Sequence, residues 1–258
     1  YYIHGGRQRI RPEQLEERDT AKTALPYGAD GAAVPVQRYR DVQKLCALKS
    51  DGETGYVLYG IESQSQVHYA AAVKNNLYDA IEYACQVEEA ARSHRHAMKQ
   101  KKKDGSADAA EEQKKPNSGE FLSGFWKSDS LIPSVTVMIL FSPDEWDGPS
   151  SLSEMMEIKD PKIRSFINDY RVHLIAPAQM PDEEIMKFQS SLREVLLFIK
   201  YSKDREKLSR ILERNEKRFR ELERRAVDVI AAVTSSRLNY EEEEEVVDMC
   251  KAIQEMRE

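Results

Sequence analysis

The chain has 258 residues, 40% of them hydrophobic and 33% charged, with a formal net charge of -6 at pH 7. That length supports a sizeable core in one large domain or two small ones, and no run approaches the ~18 apolar residues of a membrane-spanning helix, so no membrane partner is expected. The charge is uneven: residues 1–115 carry 18 Lys+Arg against 17 Asp+Glu, and residues 116–258 carry 21 against 28. A whole-chain basic footprint for nucleic acid is therefore absent, and any polyanion contact is expected to be local, in the first half.

No basic segment leads into an apolar one as in a secretory signal. Cys46, Cys85 and Cys250 are odd in number, far apart and without a Cys-x-x-Cys pair. That argues against a disulfide framework or a structural zinc site and for a reducing compartment, so a cytoplasmic location is expected. The first residue is Tyr1 rather than Met, and a native N-terminal segment is expected to be missing.

In chain order, Tyr1 to His4 reads as the tail of a helix stopped by Gly5-Gly6. A polar stretch with Pro12, Pro26 and Pro35 follows. Tyr39 to Leu48 and Gly55 to Gln64 read as strands, and Asp51-Gly52 between them is a strong signal for a two-residue hairpin loop. Ala70 to Lys99 reads as a long helix, with Val73, Leu77, Ile81, Ala84, Val87 and Ala91 on its apolar face. A mobile charged insertion is expected at about 100–118. Leu131 to Phe141 and Tyr170 to Ala176 read as further strands, separated by a loop around Trp146 and two short helices. After Pro181 the pattern is helical: 182–201, 203–212, 218–233 and 241–256. Leu208, Ile211, Leu212, Phe219, Leu222, Ala226, Val229, Ile230 and Val233 form an apolar stripe there, expected to pack within the chain. The expected fold is α/β, with a core over residues 1–180 and an α-helical region over 181–258.

The hairpin carries the chemistry. A two-residue loop at Asp51-Gly52 pairs Ser50 with Glu53 and, continuing outward, Asp41 with Glu62. Residues directly opposite share a face, with Cβ atoms ~4.5–5.5 Å apart. Two carboxylates so placed repel each other unless something compensates, and a divalent cation such as Mg²⁺, which takes carboxylate oxygen, is the obvious compensation. Gln64, two residues past Glu62, points to the same face. The competing account is that the acids are merely solvated, or that a bulge shifts the register by one residue.

Arg38-Tyr39-Arg40-Asp41-Val42, Tyr59-Gly60-Ile61-Glu62-Ser63-Gln64-Ser65 and Asn76-Leu77-Tyr78-Asp79 together resemble the Rpn family of recombination-promoting nucleases. This family, also described as transposases, lies in the PD-(D/E)XK nuclease superfamily. Ser118 to Phe125, Phe141 to Pro149 and Phe198 to Ser202 extend the resemblance, in order, over nearly the whole chain. It implies a restriction-endonuclease-like core, with a mixed four- to five-stranded sheet flanked by helices. It implies that Asp41, Glu62 and the Ser63 backbone carbonyl hold Mg²⁺ (Mn²⁺ or Ca²⁺ in its place), and that metal-activated water attacks a DNA phosphodiester. Gln64 stands where the wider superfamily has Lys, and Lys74 where the family has an Arg; Gln64 can orient water but brings no charge. The superfamily also takes an acid from its first helix, and this chain starts inside or after that helix.

Arg38, Arg40, Lys44 and Lys74 are candidate DNA-phosphate contacts. The lysines from Lys99 to Lys103 and Lys114-Lys115 fit a solvated helix end and insertion better than a DNA contact. His94 and His96 face different sides of a helix and make a poor metal pair. Asp144, Glu145 and Asp147 around Trp146 fit a loop with a packed Trp better than a second cation site. No GxGxxG or GxxxxGK[ST] motif occurs, so no nucleotide cofactor is expected. The expectation is a Mg²⁺-dependent DNA endonuclease, with DNA and a second copy of the chain as candidate partners. The alternatives are a non-catalytic nuclease fold that binds a protein through its acidic C-terminal half, and a DNA-binding accessory without hydrolysis.

Overall fold

The two β-branched and aromatic runs do pair as a hairpin. In the computed structural model β4 (Val42–Ser50) and β5 (Glu53–Gln64) pair antiparallel from Ser50↔Glu53 to Val42↔Ile61, without a bulge. The structure describes residues 10–24, 36–39, 41–50, 53–103, 116–235, 238 and 245–255. Asp51-Gly52, the expected helix tail at Tyr1 to His4, residues 104–115 of the expected insertion, and Glu241 to Glu244 lie outside them.

The hairpin belongs to a five-stranded mixed sheet of order β1-β4-β5-β6-β7, completed by β1 (Leu15–Glu17), β6 (Ser134–Leu140) and β7 (His173–Ile175). β1 pairs antiparallel with β4, and β6 and β7 pair parallel. Helices flank this sheet, so the chain is α/β. A separate pair, β2 (Ala21–Ala24) with β3 (Val36–Tyr39), and a short pair, β8 (Leu222–Glu223) with β9 (Val246–Val247), complete the strands among the described residues.

Several expectations need correction here. The stretch after Pro12 is not irregular: it supplies β1 and β2. The strand expected from Tyr39 to Leu48 is two strands, β3 and β4, with a bend at Asp41. The helix expected from 182 to 201 is two helices, α4 (Asp182–Ile185) and α5 (Leu192–Tyr201). The helix expected from 218 to 233 is broken by β8, and within that expected from 241 to 256 the described residues form β9 before a helix from Met249. The remaining helices are α1 (Ala71–Lys103), α2 (Ser118–Ser123), α3 (Pro161–Arg164), α6 (Arg205–Arg214), α7 (Glu216–Arg220), α8 (Arg224–Thr234) and α9 (Met249–Glu255). α1 continues to Lys103, so the lysines from Lys99 onward are a helix end.

The chain divides into two compact units: Tyr1–Arg11, Glu62–Ala72 and Val137–Glu258 form the first, and Pro12–Ile61 and Val73–Thr136 the second. In the first, Ala71, Met138, Leu140, Trp146 and Ala176 form an apolar cluster. Trp146 is buried and donates Nε1–H to the Gly148 carbonyl at 2.7 Å, as a packed indole requires. α5 is buried from Glu194 to Ile199. Its one acid, Glu194, is held by Arg193 Nε and Arg218 Nε, each at 2.7 Å. The C-terminal apolar stripe packs inward at Ile211, Leu212, Phe219, Leu222, Ala226 and Ile230.

In the second unit, α2 opens on a capping box, in which Glu120 N–H donates to Asn117 Oδ1 and Asn117 N–H to Glu120 Oε2. It closes at Gly124 with φ 70°, where a Cβ would come within 2.6 Å of the Ala91 Cβ on α1. Only glycine suits both demands. One turn further along α1, His94 stacks on Trp126 at 3.9 Å between ring centroids, and its Nε2 lies 2.8 Å from Asp129 Oδ2.

Candidate active site

Alternation along β5 puts Leu58, Gly60, Glu62 and Gln64 on one face. Leu58 and Gly60 are buried, Glu62 is only 1% exposed, and Gln64 is half-buried. Ser63 points the other way and is exposed. The Gln64 carbonyl accepts from Phe141 N–H at 2.7 Å, which fixes the strand end just past the Glu-x-Gln pair.

Asp41 sits differently. The described ladder ends at Val42↔Ile61, one residue short of Asp41 and Glu62 on either side. Asp41 is an exposed residue in a bend of the second unit, whereas Glu62 begins a segment of the first. The register expected from the hairpin therefore holds through nine pairs and stops before the acids.

The cations are placed unequally. Lys44 Nζ lies 2.6 Å from Glu17 Oε1 across the β1–β4 pair, and this holds the Glu17 carboxyl below its ordinary range. Lys74 is half-buried, with its ammonium 5.5 Å from the centroid of the Tyr78 ring. Arg38 lies in β3, and Arg40 falls outside the described residues.

The apolar face expected for α1 packs only in part: Ile81 is buried, but the residues of that face nearer the helix start are not. Val73 is 49% exposed and Leu77 37%, while Asn75, Asp79 and Glu82 are buried. Their i, i+4, i+7 spacing makes one stripe, continued by Gln86. Its partners in the second unit explain why it is polar. Asp79 Oδ1 accepts from Ser134 Oγ and Thr136 Oγ1, both at 2.8 Å. Glu82 Oε2 accepts from Gln43 Nε2 at 2.8 Å. Gln86 accepts from Ile132 N–H at 2.8 Å and donates to the Ile132 carbonyl at 3.2 Å, pairing with backbone much as a strand would. Among the described residues, Gln43 Oε1 and both amide atoms of Asn75 are buried without a hydrogen-bond partner. Each such atom costs about 1–3 kcal/mol, and buried groups of this kind mark places where ordered water or a ligand atom is accommodated.

Sequence reasoning missed Gln43, Asn75 and Glu82 altogether and took Asp79 only as part of a motif. Two signals were available: Gln43 alternates with Asp41 along one strand, and Asn75, Asp79, Glu82 and Gln86 recur at helical spacing.

Among the described residues no group of three His, Cys, Asp or Glu side chains converges as a metal cluster. Magnesium does not need one, because it keeps several waters and binds through one or two carboxylates plus substrate phosphate. The hard oxygen donors of Asp41, Glu62 and the Ser63 carbonyl suit it in kind. Two of the three thiols are unsuited to nucleophilic work: burial pushes both Cys46 and Cys250 up from the usual thiol range. No helix among the described residues is long and apolar enough to cross a membrane.

The comparisons with known proteins add no identity: no family model, no curated protein and no solved structure matches this chain.

Proposed function

We propose that the chain is a metal-dependent DNA endonuclease of the recombination-promoting Rpn type, with a PD-(D/E)XK-like core, acting in the cytoplasm. The observation that carries the reading is Glu62: a carboxylate 1% exposed on β5, next beyond the last pair of a bulge-free hairpin, with Gln64 on the same face. A carboxylate at this strand end supplies the hard anionic oxygen that a divalent metal ion takes. In this reading Asp41, Glu62 and the Ser63 carbonyl hold Mg²⁺, which supplies Lewis acidity and a more acidic bound water. Glu62 and Asp41 provide anionic oxygen, and Gln64 hydrogen-bonds and orients the attacking water without charge. Arg38, Arg40 and Lys74 contact backbone phosphate. Lys44 contributes less, being committed to Glu17 at 2.6 Å.

The test is nicking of supercoiled plasmid by the full chain with and without Mg²⁺ or Mn²⁺. Asp41→Ala, Glu62→Gln and Gln64→Ala variants of confirmed fold are run alongside. The expected outcome is metal-dependent nicking that falls by at least about 100-fold in Asp41→Ala and Glu62→Gln. Undiminished nicking by Asp41→Ala would falsify the assignment of that residue. A second reading, a non-catalytic nuclease fold that binds a protein or DNA partner, is favoured by the exposed bend at Asp41, outside the ladder. It predicts no nicking and no calorimetric Mg²⁺ signal that depends on Glu62.

A further inference from the structure

The first unit contains a cavity of about 640 Å³, a size typical of small-molecule sites. Phe141, Phe198 and Leu208 give it an apolar lining; Ser65, Asp144, Lys203 and Arg205 supply polar groups. Two of these charges cancel. Lys203 Nζ lies 2.6 Å from Asp144 Oδ1, and that bond holds the Asp144 carboxyl below its ordinary range. The acid next in sequence is also committed, since Asp204 caps α6 by accepting from Lys207 N–H and pairs with Lys207 Nζ, both at 3.0 Å. Arg205 remains: it is exposed, and among the described residues no carboxylate pairs with it.

The cavity also has a position along the chain. Ser65 directly follows Gln64, and Phe141 N–H is bonded to the Gln64 carbonyl at 2.7 Å. The lining thus begins where the Glu62–Gln64 strand ends. Phe141 and Leu208, both partly exposed, offer apolar surface to a planar ring. A guanidinium offers a fork that matches phosphate in a bidentate way. An apolar lining beside a cation that no described carboxylate pairs with suits a ligand with an aromatic body and a single anionic group.

We propose that this cavity receives one unpaired nucleotide of the DNA substrate, its base against Phe141 and Leu208 and its phosphate on Arg205. The choice of a nucleotide over other aromatic phosphates rests on the nuclease reading above. The consequence is a substrate class: single-stranded DNA, ends or locally opened duplex, because a base inside an intact helix cannot reach such a cavity.

The experiment is titration calorimetry of the full chain in metal-free buffer, with thymidine 5′-monophosphate, thymidine and hexyl phosphate as separate probes. The nucleotide is expected to bind, and each half-probe to bind at least about tenfold more weakly. Arg205→Ala, at an exposed position, is expected to fold normally and to weaken nucleotide binding about tenfold. Leu208→Trp, which fills the cavity, is expected to remove binding. Should the tryptophan variant not fold, Arg205→Ala still decides. Absence of binding by the wild-type chain, equal binding of hexyl phosphate, or unchanged affinity in Arg205→Ala overturns the proposal. Because the assay needs neither metal nor cleavage, nucleotide binding without nicking removes only the nuclease reading. Nicking without nucleotide binding removes only the cavity.

Discussion

The two units bury a helix in opposite ways. In the first, α5 is apolar from Val195 to Ile199, every residue buried, and its one acid is clamped by two arginines. In the second, the packed stripe of α1 is made of Asn75, Asp79, Glu82 and Gln86, joined to Gln43, Ile132, Ser134 and Thr136 by hydrogen bonds. An apolar face stabilises in proportion to area and tolerates small shifts, whereas a hydrogen-bonded one is directional and fixes a single register. Stability is therefore concentrated in the first arrangement, and specificity of position in the second.

The sharpest way to break the contrast is truncation on each side. Leu197→Ala, at a fully buried position of α5, is expected to cost about 2–5 kcal/mol in urea unfolding, because the cavity cannot collapse inside a tightly packed helix. A loss below 1 kcal/mol would mean that this helix is not the apolar anchor described. Asp79→Ala leaves the Ser134 and Thr136 hydroxyls without their acceptor, so a loss of about 1–3 kcal/mol is expected. Asp79→Asn, which keeps an acceptor oxygen, is expected to recover part of it.

The first unit also carries a polar tie whose pH response has a definite sign. Burial pulls the Asp182 carboxyl upward, but hydrogen bonds from Lys200 and Tyr201 outweigh it and hold the group below its ordinary range. Its stabilising contribution is present above the unfolded carboxylate pKa and is lost as pH falls through the lower folded one. Tyr201 moves the other way: burial and the Asp182 hydrogen bond raise its phenol to about 12. That contribution is complete below the unfolded tyrosine pKa of about 10 and disappears as pH rises through the folded value. Tyr201→Phe is expected to flatten the alkaline side of a stability–pH curve; an unchanged curve there would show that the tie carries no weight. The smallest expected effect is Asn75→Leu. Removing two buried amide atoms that lack partners is expected to be neutral or to stabilise by up to about 1 kcal/mol.

Much of this was legible in the sequence where one local signal sufficed. Asp51-Gly52 gave the hairpin register pair by pair down to Val42↔Ile61, and the inward packing of Ile211, Leu212, Phe219 and Ile230 followed from helical spacing. Failures came where the packed face was polar. Val73 and Leu77 drew attention because they are apolar, but strand-side hydroxyls, the Gln43 amide and exposed backbone at Ile132 demanded partners that only the other face of α1 could supply. Short elements escaped for a different reason. β1, with three residues, and β8, with two, owe their existence to partners far away in sequence, Cys46 to Lys44 and Val246-Val247. The acids were identified as residues, but their relation was not decided by pattern, since a bend at Asp41 interrupts the alternation on which the inference depended.

The two tryptophans fall one in each unit. Trp146 lies in an apolar cluster, while Trp126 is stacked face to face on an imidazole bonded to Asp129. Their emission therefore has different environments by construction. The dry indole shines blue-shifted; the stacked one is dimmed by the imidazole lying on its face. With each tryptophan replaced in turn by phenylalanine, the chain carries its own pair of optical gauges, one for each half of the comparison.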